Sequence, residues 1–522
     1  ASGDRHAEAE RLLEDARALW PRDVALLKRL GDLYESTGRR DDALQAREAA
    51  LTIDGGDLTL RRSVWRARTG RELLSEHAVT REAALANYRA QPGSEEAAST
   101  YVLDAAATQA FADGSTVDRI HIIQKALDSS GVSEIAEVNI PSGAQVLSLR
   151  TLKADGTTLE PETIEGKEAV SLPGVQVGDA VEYEYLQAHP ARGPAQPGFT
   201  AASFYFQIAR APNHWSTYTV VAPEGSGLAV DAHNTAAAAP VKQGGYEIFK
   251  HDARRVPPFV PEPNAPPSPN EYLPFVSIGA KAQGNEGLLR EYADDTLDGG
   301  QRTFEVEQFA RAAAGNKKGK EAVRALYAAV MERLSGRDAG LGLPAAASLA
   351  QDRGSRLWAL KAGLEVLGVP TRIAAVRTFA VDPAPYRFPN EALFTYVCLR
   401  AQVGGEEVWL DPLVRFAPFG ELPEPARGRE AYLLPEPGHP LKKVKTPSGS
   451  AIPLKQVALA LTLSETGTLS GSGEEAYSGF EAAQLGEALD ALSPEQRTQA
   501  LQSALTQYFG GATLSQLNVD WP

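Results

Sequence analysis

The stretch from Arg353 to Pro412 constrains the fold more than any other part of the chain. Leu357, Leu360, Leu364 and Leu367 fall on one helical stripe, and Gly368 is a natural C-terminal stop. Two β-rich runs follow, Val369 to Val376 and Phe394 to Leu399. Val408-Trp409-Leu410-Asp411-Pro412 closes the stretch. The pattern is a helix followed by two or three strands.

The 522 residues suffice for three or four domains. With 43% hydrophobic and 23% charged residues the composition is that of a globular protein, and no apolar run is long enough to span a bilayer. The net charge of −15 argues against a nucleic-acid surface, which needs a basic patch. Cys398 is the single cysteine, so no internal disulfide can form. That suits a reducing compartment, or a periplasmic protein that does without bridges.

Residues 1–92 read as helical repeats. Ala9, Leu13, Ala16 and Pro21 return as Ala43, Arg47, Ala50 and Gly55, 34 residues later. Leu27, Leu30, Gly31 and Tyr34 supply a first-helix signature, and a third, degenerate unit runs from Leu58 to Tyr88. The period and the small residues where helices approach resemble the tetratricopeptide repeat. Residues 93–275 then alternate in short runs with turns, as at Asp113-Gly114-Ser115 and Asp155-Gly156-Thr157, which predicts an antiparallel β sandwich. The run Val177-Gly178-Asp179-Ala180-Val181-Glu182-Tyr183-Glu184-Tyr185 is its clearest strand. These hairpins resemble a β domain of unknown function that often precedes transglutaminase-like cores in bacteria.

Prolines from Val256 to Pro274 mark an extended connection, and Phe304 to Leu334 reads as helix. A loop spans Gly340 to Pro344. Residues 441–522 read as a small, partial C-terminal β domain with two helices. Ser493, Pro494 and Gln496 form an N-terminal capping signature, and Leu514 to Val519 looks like a strand. The chain reads as a piece of a longer protein at both ends. Helical repeats need more units upstream, and the last strand-like run stops at Trp521-Pro522. Ala1 to Arg17 reads as amphipathic helix without a signal-peptide core.

The order of Gly354, the helix, the strands and Trp-Leu-Asp-Pro resembles the transglutaminase-like core, a papain-like Cys-His-Asp fold spanning residues 276–440 here. The fold class is therefore multidomain α+β: N-terminal helical repeats, an antiparallel β sandwich, an α+β core and a small C-terminal α/β segment. The resemblance places the family's Gly at Gly354 and its Asp at Asp411. Its Cys position falls on Arg356 and its His position on Tyr396, 15 residues before Asp411.

Thiol chemistry needs a thiolate beside a base. A guanidinium cannot attack, and a tyrosine with a reference pKa of about 10 is a poor base near neutrality. The resemblance thus implies a pseudoenzyme with a degenerate cleft of Arg356, Tyr396 and Asp411. Two uses of that cleft are open. In one, an Arg356–Asp411 ion pair with Tyr396 alongside forms a structural lock; in the other, Arg356 binds a peptide or carboxylate. Cys398 reads as a small buried hydrophobe. The implied function is protein–protein interaction or scaffolding in a bacterial cell-envelope complex, hence a periplasmic or envelope location, with a protein partner. A cysteine protease or acyltransferase is one alternative. A carbohydrate- or peptide-binding module is another, and the sugar-binding form would need exposed aromatics near Tyr183, Tyr185, Tyr205 or Trp215.

No cofactor or metal is expected. His121, His214, His233 and His251 lack metal-ligand spacing and read as strand or surface residues. Glu182 and Glu184 share a strand face that reads as solvated.

Overall fold

The computed structural model describes residues 2–90, 96–161, 169–191, 203–260, 262, 265, 271–280, 285–296, 299–335, 343–381, 388, 393–449 and 455–520. Most of the proline-rich connection after Val260, most of the Gly340 to Pro344 loop and Trp521-Pro522 lie outside these residues. The chain divides into two compact units, residues 1–287 with 384–390, and residues 288–383 with 391–522.

The first unit begins with helices Ser2–Leu19, Val24–Ser36, Arg40–Leu51, Leu58–Thr69 and Arg81–Ala90. Their starts are written locally. Asp23 accepts from the Leu26 N–H and Asp57 from the Leu60 N–H, each at 2.9 Å. Ala43 and Ala50 are buried where neighbouring helices meet.

An eight-stranded sheet follows. Its order is Val241–Gln243, Tyr246–Val256, Asn213–Pro223, Ser99–Ala110, Thr116–Ala126, Ala180–His189, Gln145–Leu152 and Thr158–Leu159. The pairs are antiparallel except Ser99–Ala110 with Asn213–Pro223, which run parallel. A three-stranded sheet, Leu228–His233, Phe275–Ala280 and Phe204–Tyr205, packs on one face through Phe206, Tyr218, Val220, Phe249, Val276 and Ile278. Two facing sheets are the expected sandwich arrangement.

The helical segment covers the opposite face, where Leu58 and Leu73 meet Val117 and Leu186, and Val79 and Ala84 meet Val102 and Ile123. Arg61 pins this contact. It is buried and donates to the Gly55 carbonyl, to Asp113 at 2.7 Å and to Ser115 at 2.8 Å. Strand boundaries shift in one informative place. Val177-Gly178-Asp179 is a turn and the strand starts at Ala180, because Asp179 accepts from the Gln176 and Ala154 N–H groups and pairs with Lys153.

In the second unit, helices Phe304–Ala314, Gly319–Arg333, Ala345–Gln351 and Arg356–Val366 lie against an antiparallel five-stranded sheet. Its order is Glu406–Leu410, Tyr396–Val403, Thr371–Val376, Glu430–Leu433 and Lys442–Lys445. The single stripe expected of Arg356–Val366 is too narrow. Arg356, Leu357, Trp358, Ala359, Leu360, Ala362, Gly363 and Leu364 are all buried, since helices cover what the sheet does not. A β-carbon at Gly363 would lie 3.0 Å from Leu326, so the small residue sets that approach.

The hairpin Lys455–Leu463 with Leu469–Tyr477 and the helices Gly479–Asp490 and Pro494–Tyr508 complete the unit. Ser493 and Gln496 form the expected capping box. Leu514 to Val519 does not form the expected strand.

Candidate functional site

The geometry around Gly354 explains why the helix begins where it does. Gly354 has φ +129°, and a β-carbon there would fall 2.4 Å from Ser348 Oγ. Ser355 N–H donates to that same hydroxyl at 3.0 Å. Ser355 then caps the helix, its Oγ accepting from the Trp358 N–H at 3.2 Å. The chain therefore delivers residue 356 into the core at the first helical position.

Arg356 is 0% exposed. Its Nε donates to the Leu334 carbonyl and its Nη1 to the Leu413 carbonyl, each at 2.8 Å. Nη2 lies 3.5 Å from Glu487 Oε1, on the helix Gly479–Asp490. The guanidinium thus ties three segments together and does not reach into an open groove.

Asp411 directly follows the strand Glu406–Leu410 and is also 0% exposed. One carboxylate oxygen accepts from the Leu413 and Val414 N–H groups at 2.6 and 2.9 Å. The other accepts from the Tyr396 hydroxyl. Tyr396 opens the neighbouring strand and is buried beside it. The Tyr327 hydroxyl is 2.9 Å from the Asp411 carbonyl and 3.0 Å from that of Ala417.

Burial pushes the Asp411 carboxyl above its usual range. The Tyr396 hydroxyl, two backbone N–H groups and the charge of Arg356 pull it back in part. Burial, and then the Asp411 charge, hold Tyr396 well above the ordinary tyrosine value. The same two causes hold the fully buried Cys398 thiol well above its own. A thiol so placed stays protonated, and the base it would need is a tyrosine bonded to a carboxylate.

The structure therefore brings Arg356, Tyr396 and Asp411 into one buried cluster. The expected Arg356–Asp411 ion pair does not form: Arg356 acts on Asp411 through its charge, and its hydrogen bonds include those to Leu334, Leu413 and Glu487. Sequence reasoning did not find Glu487, which is 131 residues downstream and carries no local signal. Tyr327 was legible only as part of a helical stripe.

The remaining candidates separate clearly. The Glu182 and Glu184 face is not solvated, which corrects the expectation from alternation. Glu182 is 3% exposed, 3.0 Å from His121 Nε2 and 3.1 Å from Arg150. Glu184 pairs with Arg119 at 2.7 Å. The segment between helices Leu58–Thr69 and Arg81–Ala90 closes over them, bringing the Leu73 carbonyl to Arg119, the Val79 carbonyl to His121 and Arg81 to Glu182. Tyr183, Tyr185, Tyr205 and Trp215 are half-buried rather than exposed. Among the described residues, no three His, Cys, Asp or Glu side chains converge as a metal site.

Residues 112–260 match a family described as a domain of unknown function with a solved structure, DUF3857. The resemblance of the β segment to a domain of unknown function is thus borne out over those residues. Comparison with curated proteins gives no match. Among solved structures, a candidate protease from Parabacteroides distasonis is 16% identical, with a TM-score of 0.49, covering 68% of this chain and 72% of that one. An M1 zinc metallopeptidase from Deinococcus radiodurans is 13% identical with a TM-score of 0.21, covering 35% of this chain and 42% of that one. The chain spans less than half of the metallopeptidase's length.

Proposed function

We propose that residues 276–440 form a non-catalytic transglutaminase-like core, and that the chain serves protein–protein interaction or scaffolding. The observation that carries this reading is Arg356. At the helix start, where that family holds its nucleophile, stands a fully buried guanidinium bonded to two backbone carbonyls and a carboxylate. Tyr396, at the histidine position, donates to Asp411 instead of holding a base there. The cluster is a lock that fastens the helix start to Leu334, Leu413 and the helix Gly479–Asp490. With its donors turned inward, the cleft's use as a carboxylate-binding groove is the weaker idea.

The interaction role rests on the N-terminal helices, whose 34-residue spacing and buried alanines fit a tetratricopeptide-like array with a groove for a peptide or helix. A setting in the bacterial cell envelope rests on the family resemblance alone.

The test has two arms. A thiol-reactive electrophile modifies Cys398 slowly in the folded protein and rapidly after unfolding, and the protein neither cleaves nor crosslinks peptides. Fast, pH-sensitive labelling of folded Cys398 overturns the non-catalytic reading. Photocrosslinkers at the exposed Arg29, Asp32 and Gln45 capture a protein partner in cells if the helices form the docking face. Capture absent there sinks the scaffold assignment.

A further inference from the structure

We propose that the cleft lined by Asn87, His214, Arg254 and Arg255 binds an oxyanion, a carboxylate or phosphate group presented by a ligand. Its residues belong to the first unit, and the proposal stands apart from the reading of Arg356. The cleft encloses about 220 Å³.

The strands make it. Tyr246–Val256 pairs antiparallel with Asn213–Pro223, with Arg254 opposite Trp215 and Val256 opposite Asn213. Arg255 therefore falls across from His214. The helix Arg81–Ala90 brings Asn87 and Tyr88 to the same place, and Tyr88 meets the His214 ring edge-on at 4.5 Å. The Arg254 guanidinium lies 3.4 Å from the centre of the Trp215 ring and donates from Nη1 to Asn87 Oδ1 at 3.0 Å. Stacking and one hydrogen bond fix its plane and leave other N–H groups for a ligand.

What the cleft lacks points to the ligand. The chain carries a net charge of −15, yet no carboxylate lies within ion-pair distance of Arg254 or Arg255 among the described residues. The nearest acid along the strand, Asp252, accepts from Trp215 Nε1 at 3.0 Å and sits 3.8 Å from Lys250. Arg254 is exposed at the cleft's rim, partial burial lowers its pKa, and the Asp252 charge offsets this only in part. Arg255 makes no hydrogen bond or ion pair among the described residues, and its backbone is left-handed at φ +52°. Arg255 is exposed, so the lack of a protein partner is ordinary, while a positive φ at a non-glycine residue is uncommon and directs attention to what its side chain does. Arginine offers only donors, and Asn87, its oxygen taken by Arg254, offers its amide N–H groups. Such a lining suits a group with only acceptors and a negative charge.

The test uses the intact chain. It is titrated with inorganic phosphate, with a short peptide ending in a free carboxylate, and with the same peptide as its C-terminal amide. Amide chemical shifts of Asn87 and Arg255 report binding. We expect saturable, salt-sensitive binding of at least one oxyanion, and amide peptide binding at least tenfold weaker than that of the free acid if the carboxylate is the ligand. Arg255→Gly, which suits the left-handed backbone, weakens binding at least tenfold while the unfolding temperature holds or rises. Arg254→Gln weakens it similarly. Peptide without phosphate binding assigns a carboxylate, phosphate without peptide binding assigns a phosphate, and binding of both assigns a general oxyanion site. Absence of saturable binding by either, or binding unchanged in both variants, overturns the proposal.

Discussion

Replacing Arg356 with methionine isolates what the buried guanidinium does. Methionine keeps an unbranched side chain in a packed site but removes every donor. The Leu334 and Leu413 carbonyls, each now 2.8 Å from a charged N–H, lose that partner. Hydrogen bonds to charged groups contribute about 1.5–3 kcal/mol each, and losing one member of a buried charged network costs about 3–5 kcal/mol. The gain from no longer burying a cation offsets part of the gross loss, so we expect a net cost of about 3–5 kcal/mol. At roughly 2–4 °C per kcal/mol for a unit of this size, the melting temperature falls by roughly 10 °C.

Glu487→Gln is the matched control. Its contact is long at 3.5 Å and its side chain is 34% exposed, so solvent screening holds the cost below about 1 kcal/mol. Chemical denaturation followed by circular dichroism, with a check that the m-value is unchanged, measures both variants. A cost below about 1 kcal/mol for Arg356→Met, or equal costs for the two variants, would refute the reasoning. The carbonyl bonds would then not be what holds this residue.

Three further outcomes follow from the geometry. Asp104, held by Ser216 and Asn213 at 3.3 Å each, is pushed by burial up to about 6. Its folded value lies above its unfolded one, so the folded state binds the extra proton and stability falls as pH rises through about 4 to 6, by on the order of 3 kcal/mol. Asp104→Asn flattens that slope, and an unchanged slope in the variant would show that another group is responsible. Gly354→Ala meets both a φ of +129° and a contact of 2.4 Å to Ser348 Oγ, so it costs about 2–4 kcal/mol. Gly368→Ala, at φ +72° in open space, costs about 1–2 kcal/mol, and thermal melts that rank the two the other way would contradict the steric argument. Arg61→Met leaves Asp113 and the Gly55 carbonyl without their buried partner and costs about 3–5 kcal/mol, with amide exchange rising first where Leu58 and Leu73 meet the sheet. Uniform loss of protection across the whole unit would instead mean that Arg61 does not act at that contact.

The sequence by itself determined what short-range chemistry encodes. Helix starts at Asp23, Asp57, Ser355 and Ser493 each rest on a side-chain oxygen three residues from the N–H it accepts. Turns at Asp113-Gly114-Ser115 and Asp155-Gly156-Thr157 close through their own aspartates. The spacing from Arg356 through Tyr396 to Asp411 was legible because helix and strands are consecutive, so their order in the chain is their order at the site. The tertiary structure decided everything that depends on distant segments meeting. Alternation marked Glu182 and Glu184 as one face but could not say that residues 73–81 would cover it. Nothing near Asn213–Pro223 states that it pairs parallel with Ser99–Ala110, because that register is fixed by the apolar layers on both sides. The counter-charge of Arg356 and the meeting of Asn87 with Arg254 arise the same way, from groups 131 and 167 residues apart. A buried charge is settled by whichever neighbour the fold brings within reach, and sequence separation does not record that.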